Sequence, residues 1–111
     1  MGYDDSTNPY NRVVCLCGSS RFKDLFLYIQ KILEYAGFTV LRPDVFTHAG
    51  DKTVLTKEEL DSQHKAKILQ SEVILVIDPD GYVGESTKSE IEFAKAHSIE
   101  VKYLSEALGD K

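Results

Sequence analysis

Apolar and polar positions follow two periodicities along the chain, and together they predict strands alternating with helices. Continuous apolar runs, as in Val73-Ile74-Leu75-Val76-Ile77, are typical of strands covered on both faces of a parallel sheet. Between Phe22 and Ala36, apolar residues instead recur every three or four positions, which predicts a helix ending at Gly37. Four strands are predicted, at 12–17, 38–41, 73–77 and 99–104.

Two further helices are predicted from capping-box patterns, in which a hydroxyl residue precedes a glutamate by three positions. Thr56-Lys57-Glu58-Glu59 opens a helix expected to reach Gln70, and Thr87-Lys88-Ser89-Glu90 opens one expected to reach His97. The intervening stretches 44–55 and 78–85 are predicted as loops.

This alternation predicts an α/β fold, specifically a flavodoxin-like or Rossmann-like three-layer domain with a parallel sheet of four to five strands. The expected strand order is 2-1-3-4. We expect a single domain over 12–111, preceded by a flexible tail over 1–11.

The composition of the chain limits the kinds of ligand and partner that it is expected to bind. The 111 residues suffice for one domain, and 42% of them are hydrophobic. A net charge of −5 without a basic block argues against nucleic-acid polymers and favours a small-molecule ligand. No apolar run approaches a membrane span and no secretory leader is recognisable, so we expect no membrane association and a cytoplasmic location. Cys15 and Cys17 are expected on opposite faces of the first strand and reduced.

A ligand crevice is predicted where the winding of the sheet reverses, beyond the carboxyl ends of the first and third strands. Each of the two loops there leads into a helix N-terminus, which favours an anion. The alternative is that their hydroxyls serve only as helix caps. The candidate binding residues are Gly18, Ser19, Ser20, Arg21, Asp80, Gly84, Ser86 and Thr87.

Glu90 is the candidate nucleophile, with two interpretations. It is either the reciprocal partner of Thr87 in a capping box, or a functional carboxylate that the helix dipole keeps ionised in the first turn.

The segment from Ile74 to Tyr103 resembles the signature region of the nucleoside 2-deoxyribosyltransferase superfamily. The matching residues are Asp78-Pro79, then Gly81-Tyr82-Val83-Gly84-Glu85-Ser86-Thr87, then Ser89-Glu90-Ile91-Glu92-Phe93-Ala94. The opening Leu16-Cys17-Gly18-Ser19-Ser20-Arg21-Phe22 is similar to the first strand and loop of that family.

This resemblance implies cleavage of an N-glycosidic bond. Glu90 would attack the anomeric carbon of a deoxyribose, the base would depart, and water or a second base would take the sugar. Some members hydrolyse nucleoside 5′-monophosphates, for which Ser86 and Thr87 would hold the phosphate. Family members commonly complete the site with a neighbouring subunit, so a homodimer or larger homo-oligomer is expected.

The chain departs from the family pattern at two aspartates. One falls at His64, for which Asp61 is a substitute one turn earlier; the other falls at Gly84, which puts classical base exchange in doubt. His64 is either catalytic or a packed histidine on an apolar helix face. Asp78 and Asp80 could supply the missing acid, or could simply form turns.

Two rival functions remain open. Cys15 and Arg21 have the Cys-x5-Arg spacing of low-molecular-weight tyrosine phosphatases, with Asp78-Pro79 as the acid. A noncatalytic nucleotide sensor would use the same crevice. No cofactor and no metal are expected, because cysteine and histidine do not occur at a recognised ligand spacing.

Overall fold

A computed structural model describes residues 12–107; the predicted tail over 1–11 and the last four residues lie outside the described residues. The fold is α/β, as predicted. The longest helices have 13 residues, and none between residues 12 and 107 is long and apolar enough to cross a bilayer. The elements are β1 (Val13–Gly18), α1 (Lys23–Tyr35), β2 (Thr39–Leu41), α2 (Lys57–Leu69), β3 (Val73–Ile77), α3 (Glu85–Ala96), β4 (Glu100–Tyr103) and α4 (Leu104–Ala107), with single 3₁₀ turns at Ser20–Phe22, Thr47–Ala49 and Pro79–Gly81.

The four strands form one parallel sheet in the predicted order β2-β1-β3-β4. Gly18, the last residue of β1, pairs with Ile77, the last residue of β3. The two central strands therefore end level at the same edge of the sheet. The chain winds in opposite directions from these two strands, so a crevice opens beyond their carboxyl ends.

Helices cover both faces of the sheet, and each face has its own apolar core. On the α1 side, Phe26 and Phe46 are buried, with ring centroids 5.1 Å apart. On the α2 and α3 side the buried residues are Cys15, Cys17, Ile68, Ile74, Val76, Ile91 and Ala94.

The two cysteines therefore share one face of β1, and the expectation that they point to opposite faces is wrong. Side chains two residues apart in a strand point the same way, because the side-chain period of a strand is two. Both are free thiols, and both are fully buried.

Helix α3 begins earlier than predicted. Gly84 is its N-cap in extended conformation, and the amide of Lys88 donates to the Gly84 carbonyl at 3.0 Å. Thr87 is thus the third helical residue, with a buried side chain, and Glu90 is the sixth. The capping box predicted from Thr87 to Glu90 is wrong, and the Glu90 carboxyl is not used to cap the helix.

The capping box of α2 is confirmed. The Glu59 amide donates to Thr56 Oγ1 at 3.0 Å, and the Thr56 amide donates to Glu59 Oε1 at 2.9 Å. The last strand ends one residue earlier than predicted, at Tyr103, where the short helix α4 begins.

Candidate functional site

A cleft of about 390 Å³ lies beyond the carboxyl ends of β1 and β3, where the sequence predicts the crevice. One wall is the loop after β1, and the other is the beginning of α3; the loop after β2 and one face of α2 close the sides. It brings together most of the predicted site residues. Those in the lining are Gly18, Ser19, Ser20, Arg21, His64, Gly84, Ser86, Thr87 and Glu90, joined by Asp61, Lys57, His48 and Tyr82.

Asp78 and Asp80 do not belong to the lining of this cleft. Asp78 is buried, and its carboxylate accepts hydrogen bonds from the Ser105 amide at 2.9 Å and the Ser105 hydroxyl at 2.8 Å. Asp80 is exposed in the turn after β3, with φ of 55°. Asp78 therefore anchors the start of α4, and neither residue is placed to act on a ligand in the cleft.

The loop after β1 is shaped by Gly18, whose φ is +149° and whose missing Cβ would lie 2.8 Å from the Ile77 carbonyl oxygen. Ser19 Oγ accepts from the Arg21 amide at 3.3 Å and from Arg21 Nε at 3.1 Å. The Arg21 guanidinium lies 4.8 Å from the centre of the Tyr82 ring. The Ser19 hydroxyl therefore caps the 3₁₀ turn at Ser20–Phe22, and the exposed Arg21 side chain lies over Tyr82 in the lining of the cleft.

Ser20 has a partner that the sequence does not signal. Its Oγ accepts from the backbone amide of His48 at 3.0 Å and pairs with His48 Nδ1 at 2.7 Å. The two residues are 28 positions apart, and the loop from 44 to 55 brings them together. That loop is pinned by Asp51, which accepts from the Phe46 amide at 2.9 Å and from Lys23 Nζ at 2.8 Å.

The N-terminus of α3 presents an anion-favouring surface to the cleft. The amides of its first three residues, Glu85 to Thr87, precede the first intrahelical hydrogen bond. Lys57, from the start of α2, donates to Ser86 Oγ at 3.4 Å. A positive charge and a hydroxyl therefore stand beside these amides.

Glu90 and His64 meet on the inner side of the cleft. Glu90 Oε1 lies 3.7 Å from His64 Nε2, which is itself 3.3 Å from Cys17 Sγ. The side chains of Glu90 and His64 are 11% and 5% exposed. Within residues 12–107, Glu90 Oε1 and His64 Nδ1 have no hydrogen-bond partner.

Burial shifts the protonation of both groups. It raises the pKa of Glu90 from 4.5 to about 8, with a smaller contribution from the negative charge of Asp61. Burial also lowers the pKa of His64 from 6.5 to about 4, assisted by the positive charge of Lys67. Both are therefore neutral at pH 7, and their contact is not an ion pair. The expectation that the helix dipole keeps Glu90 ionised is wrong, because Glu90 lies one turn into the helix and desolvation outweighs the dipole.

Asp61, the residue proposed to replace the family aspartate, lines the cleft on α2. It pairs with Lys65 Nζ at 3.1 Å, and Lys65 also donates to Ser89 Oγ at 3.2 Å. About a third of the Asp61 side chain is exposed. Asp61 therefore contributes a negative charge to this side of the cleft, and Lys65 holds its side chain in place.

Cys15 is fully buried within β1 and does not line the cleft. A phosphatase nucleophile has to be an accessible thiolate in the anion-binding loop itself. The Cys-x5-Arg spacing therefore does not form a phosphatase site here.

Comparison with known proteins yields no match, either to a family model or to a curated protein sequence.

Proposed function

We propose that this protein cleaves or transfers the N-glycosidic bond of a small nucleoside or nucleoside 5′-monophosphate, as a member of the nucleoside 2-deoxyribosyltransferase superfamily. The observation that carries the proposal is the Glu90 carboxyl. It is buried, has no partner for Oε1 within residues 12–107, and lines a cleft flanked by two helix-opening loops. A buried carboxyl in a cleft, with a pKa raised well above its ordinary value, is a feature of catalytic sites.

The chemistry follows from the ionised form of Glu90. One carboxylate oxygen forms a bond to the anomeric carbon while the bond from that carbon to the base nitrogen breaks, and its electron pair leaves with the base. Solvent in the open cleft supplies the proton that the departing base takes up. Water then attacks the anomeric carbon and loses one proton to solvent, the bond from that carbon to the Glu90 oxygen breaks, and the sugar leaves with the Glu90 carboxylate restored.

The raised pKa of Glu90 determines when this chemistry runs. With a pKa of about 8, roughly one molecule in ten carries the carboxylate at pH 7. The free enzyme therefore holds its nucleophile mostly protonated, and its activity depends on the ionised fraction.

A 5′-phosphate would fit between the α3 amides and Arg21. Ser86 lies at the second position of α3, where backbone amides and the helix dipole favour an anion. Lys57 and Arg21 add positive charge from two other elements. The net charge of −5 does not oppose a phosphate at this point, because the local donors are amides and cations.

A noncatalytic nucleotide sensor is the second candidate, since protonated Glu90 would also serve as a hydrogen-bond donor to a ribose hydroxyl. The two are separated by incubating the protein with a panel of deoxynucleosides and their 5′-monophosphates and following free base by chromatography. We expect base release from wild type and from Glu92→Gln, an exposed change on the same helix, and none from Glu90→Gln. Tight binding without any product would favour the sensor.

We further propose that a second copy of the chain completes the site. The cleft is open to solvent, whereas binding sites normally enclose most of the ligand surface. Helix α1 carries exposed apolar side chains at Tyr28, Ile32 and Tyr35, spaced four and three apart along one face. A homodimer in sedimentation velocity, dissociated by Tyr35→Glu, is expected; a monomer at all concentrations would contradict it.

A further inference from the structure

Three side chains with metal-binding atoms come together directly behind the cleft. They are Cys15 and Cys17 of β1 and His64 of α2, all buried, with their ligand atoms within 4.8 Å of one another. We propose that this cluster is a binding site for a thiophilic divalent cation of the Zn²⁺ type. Cys15 Sγ, Cys17 Sγ and His64 Nε2 are three ligands, and the fourth position faces Glu90 Oε1, which lies 3.7 Å from His64 Nε2 but outside this close group.

Two of the separations between these atoms are close to those of a tetrahedral site. Zinc lies about 2.3 Å from thiolate sulfur and about 2.0 to 2.2 Å from imidazole nitrogen or carboxylate oxygen. Tetrahedral angles then place sulfur and nitrogen about 3.6 Å apart, and nitrogen and oxygen about 3.4 Å apart. The observed distances are 3.3 Å from Cys17 Sγ to His64 Nε2 and 3.7 Å from His64 Nε2 to Glu90 Oε1. Each of these two distances differs from its tetrahedral value by about 0.3 Å. The distances that involve Cys15 Sγ are within 4.8 Å, and binding would bring the two sulfur atoms to about 3.8 Å from each other.

The orphaned oxygen of Glu90 provides an independent reason for a ligand here. Glu90 is 8% exposed, and its Oε1 is within reach of His64 Nε2 but makes no hydrogen bond within residues 12–107. Burying a carboxyl oxygen without a partner costs free energy, which coordination to a cation would offset.

The charge balance also favours a divalent cation that prefers sulfur. Two thiolates and a neutral imidazole cancel the charge of Zn²⁺, so that the complex with these three ligands is neutral in surroundings formed by Ile68, Ile74 and Val76. Hard cations such as Mg²⁺ prefer oxygen ligands and are not expected to bind. The thiol protons are released to solvent when the ion binds.

Occupancy of this site has a consequence for Glu90. A carboxylate coordinated to the cation is not available to attack an anomeric carbon, so the ion should inhibit the glycosidic chemistry. The binding claim itself stands apart from the proposed function, because it rests on the ligand atoms alone. Both His64 and Glu90 line the cleft, which gives the ion a route to the buried thiols.

The test is a titration of tag-free, reduced, chelator-treated protein with Co²⁺, a spectroscopic substitute for Zn²⁺. We expect one equivalent to bind with an intense thiolate-to-metal charge-transfer band, which Zn²⁺ then abolishes by displacement. Cys15→Ala, Cys17→Ala and His64→Gln should each weaken binding by about tenfold or more, since loss of even an outer-shell partner typically costs about 10-fold to 100-fold. His97→Gln is the matched control, because this exposed histidine lies outside the cluster, and it should leave affinity unchanged.

A measurement on wild-type protein tests the site even where a variant fails to fold. Excess Zn²⁺ should raise the thermal midpoint and slow alkylation of both cysteines, whereas Mg²⁺ should do neither. Binding of Co²⁺ without a thiolate band would overturn the assignment, as would equal affinity in the folded Cys15→Ala and Cys17→Ala variants. Absence of any Zn²⁺ effect on wild-type alkylation would also overturn it.

Discussion

The protonation of Glu90 predicts that the free energy of unfolding falls above pH 6.5, and the neutral substitution Glu90→Gln should abolish this fall. The pKa of Glu90 is raised from 4.5 to about 8, and that of His64 is lowered from 6.5 to about 4. A raised carboxyl pKa stabilises the native state at low pH, and this contribution is lost as pH rises towards 8. A lowered histidine pKa acts in the opposite direction, so stability from His64 is gained as pH rises from 4 to 6.5.

The two pKa shifts together determine how much the free energy of unfolding changes in each pH window. Between pH 4.5 and 6.5 the native state holds one proton more at Glu90 and one fewer at His64, so their slopes cancel. Between pH 6.5 and 8 only Glu90 contributes, over about 1.5 pH units at about 1.4 kcal/mol per unit. The free energy of unfolding should therefore fall by about 2 kcal/mol across this window.

Urea denaturation followed by far-ultraviolet circular dichroism measures this directly, in buffer containing a chelator. Wild type should show a plateau from pH 4.5 to 6.5 and the fall of about 2 kcal/mol by pH 8. Glu90→Gln should show no fall above pH 6.5, whereas Glu92→Gln, on the exposed side of α3, should behave as wild type. An equal fall in Glu90→Gln, or none in wild type, would refute the reasoning that burial keeps Glu90 protonated.

Three further predictions address the reaction, its phosphate specificity and the loop after β1. The kcat/KM for base release in metal-free buffer should rise about tenfold from pH 6 to 7 and about fivefold from pH 7 to 8, because the nucleophile has a pKa of about 8; a rate that falls over this range would make Glu90 an acid instead. Arg21→Ala should raise KM about tenfold for a nucleoside 5′-monophosphate but not for the nucleoside, since it removes a charge-assisted hydrogen bond; equal changes for both substrates would contradict a phosphate contact. Gly18→Ala should cost about 2 kcal/mol in urea denaturation, because φ is +149° and the new Cβ meets the Ile77 carbonyl oxygen at 2.8 Å. Gly50→Ala, with φ of +98° and open space around the site, should cost less, and equal losses would show that the Ile77 contact contributes nothing.

The sheet could be predicted from the sequence because helices cover both faces of its central strands, whose residues are therefore almost all apolar. A run such as Val73 to Ile77 is typical of a central parallel strand, and the spacing of apolar residues in α1 indicates the helix that follows β1. With the strands and helices assigned, the rule that crossovers between parallel strands are right-handed indicates where the crevice lies.

The beginning of α3 could not be read in the same way. Thr87 and Glu90 have the spacing of a capping box, but the polar residues Glu85 and Ser86 already lie within the helix, and Thr87 is buried. Local spacing does not reveal which of several polar residues is the cap, because that depends on the tertiary position of the turn after β3. The helix α4 escaped prediction because it has only four residues and is held by Asp78.

The inner part of the site depends on contacts between distant residues. His64 lies 47 positions from Cys17, and Glu90 lies a further 26 positions on, so no local motif links them. The pairing of Ser20 with His48 is equally invisible, since it depends on the path of an irregular loop. Within β1, however, the two-residue spacing of Cys15 and Cys17 already indicates one shared face.

The most direct test of the central claim is to capture the glycosyl-enzyme. Wild-type protein is incubated in metal-free buffer at pH 8 with a nucleoside 5′-monophosphate whose 2-fluoro substituent slows hydrolysis of the intermediate, and it is then analysed by intact-protein and peptide mass spectrometry. We predict one added sugar phosphate per chain, located on the peptide that contains Glu90 and absent from Glu90→Gln. Release of free base with no adduct on wild type, or an adduct on another residue, would contradict Glu90 as the nucleophile.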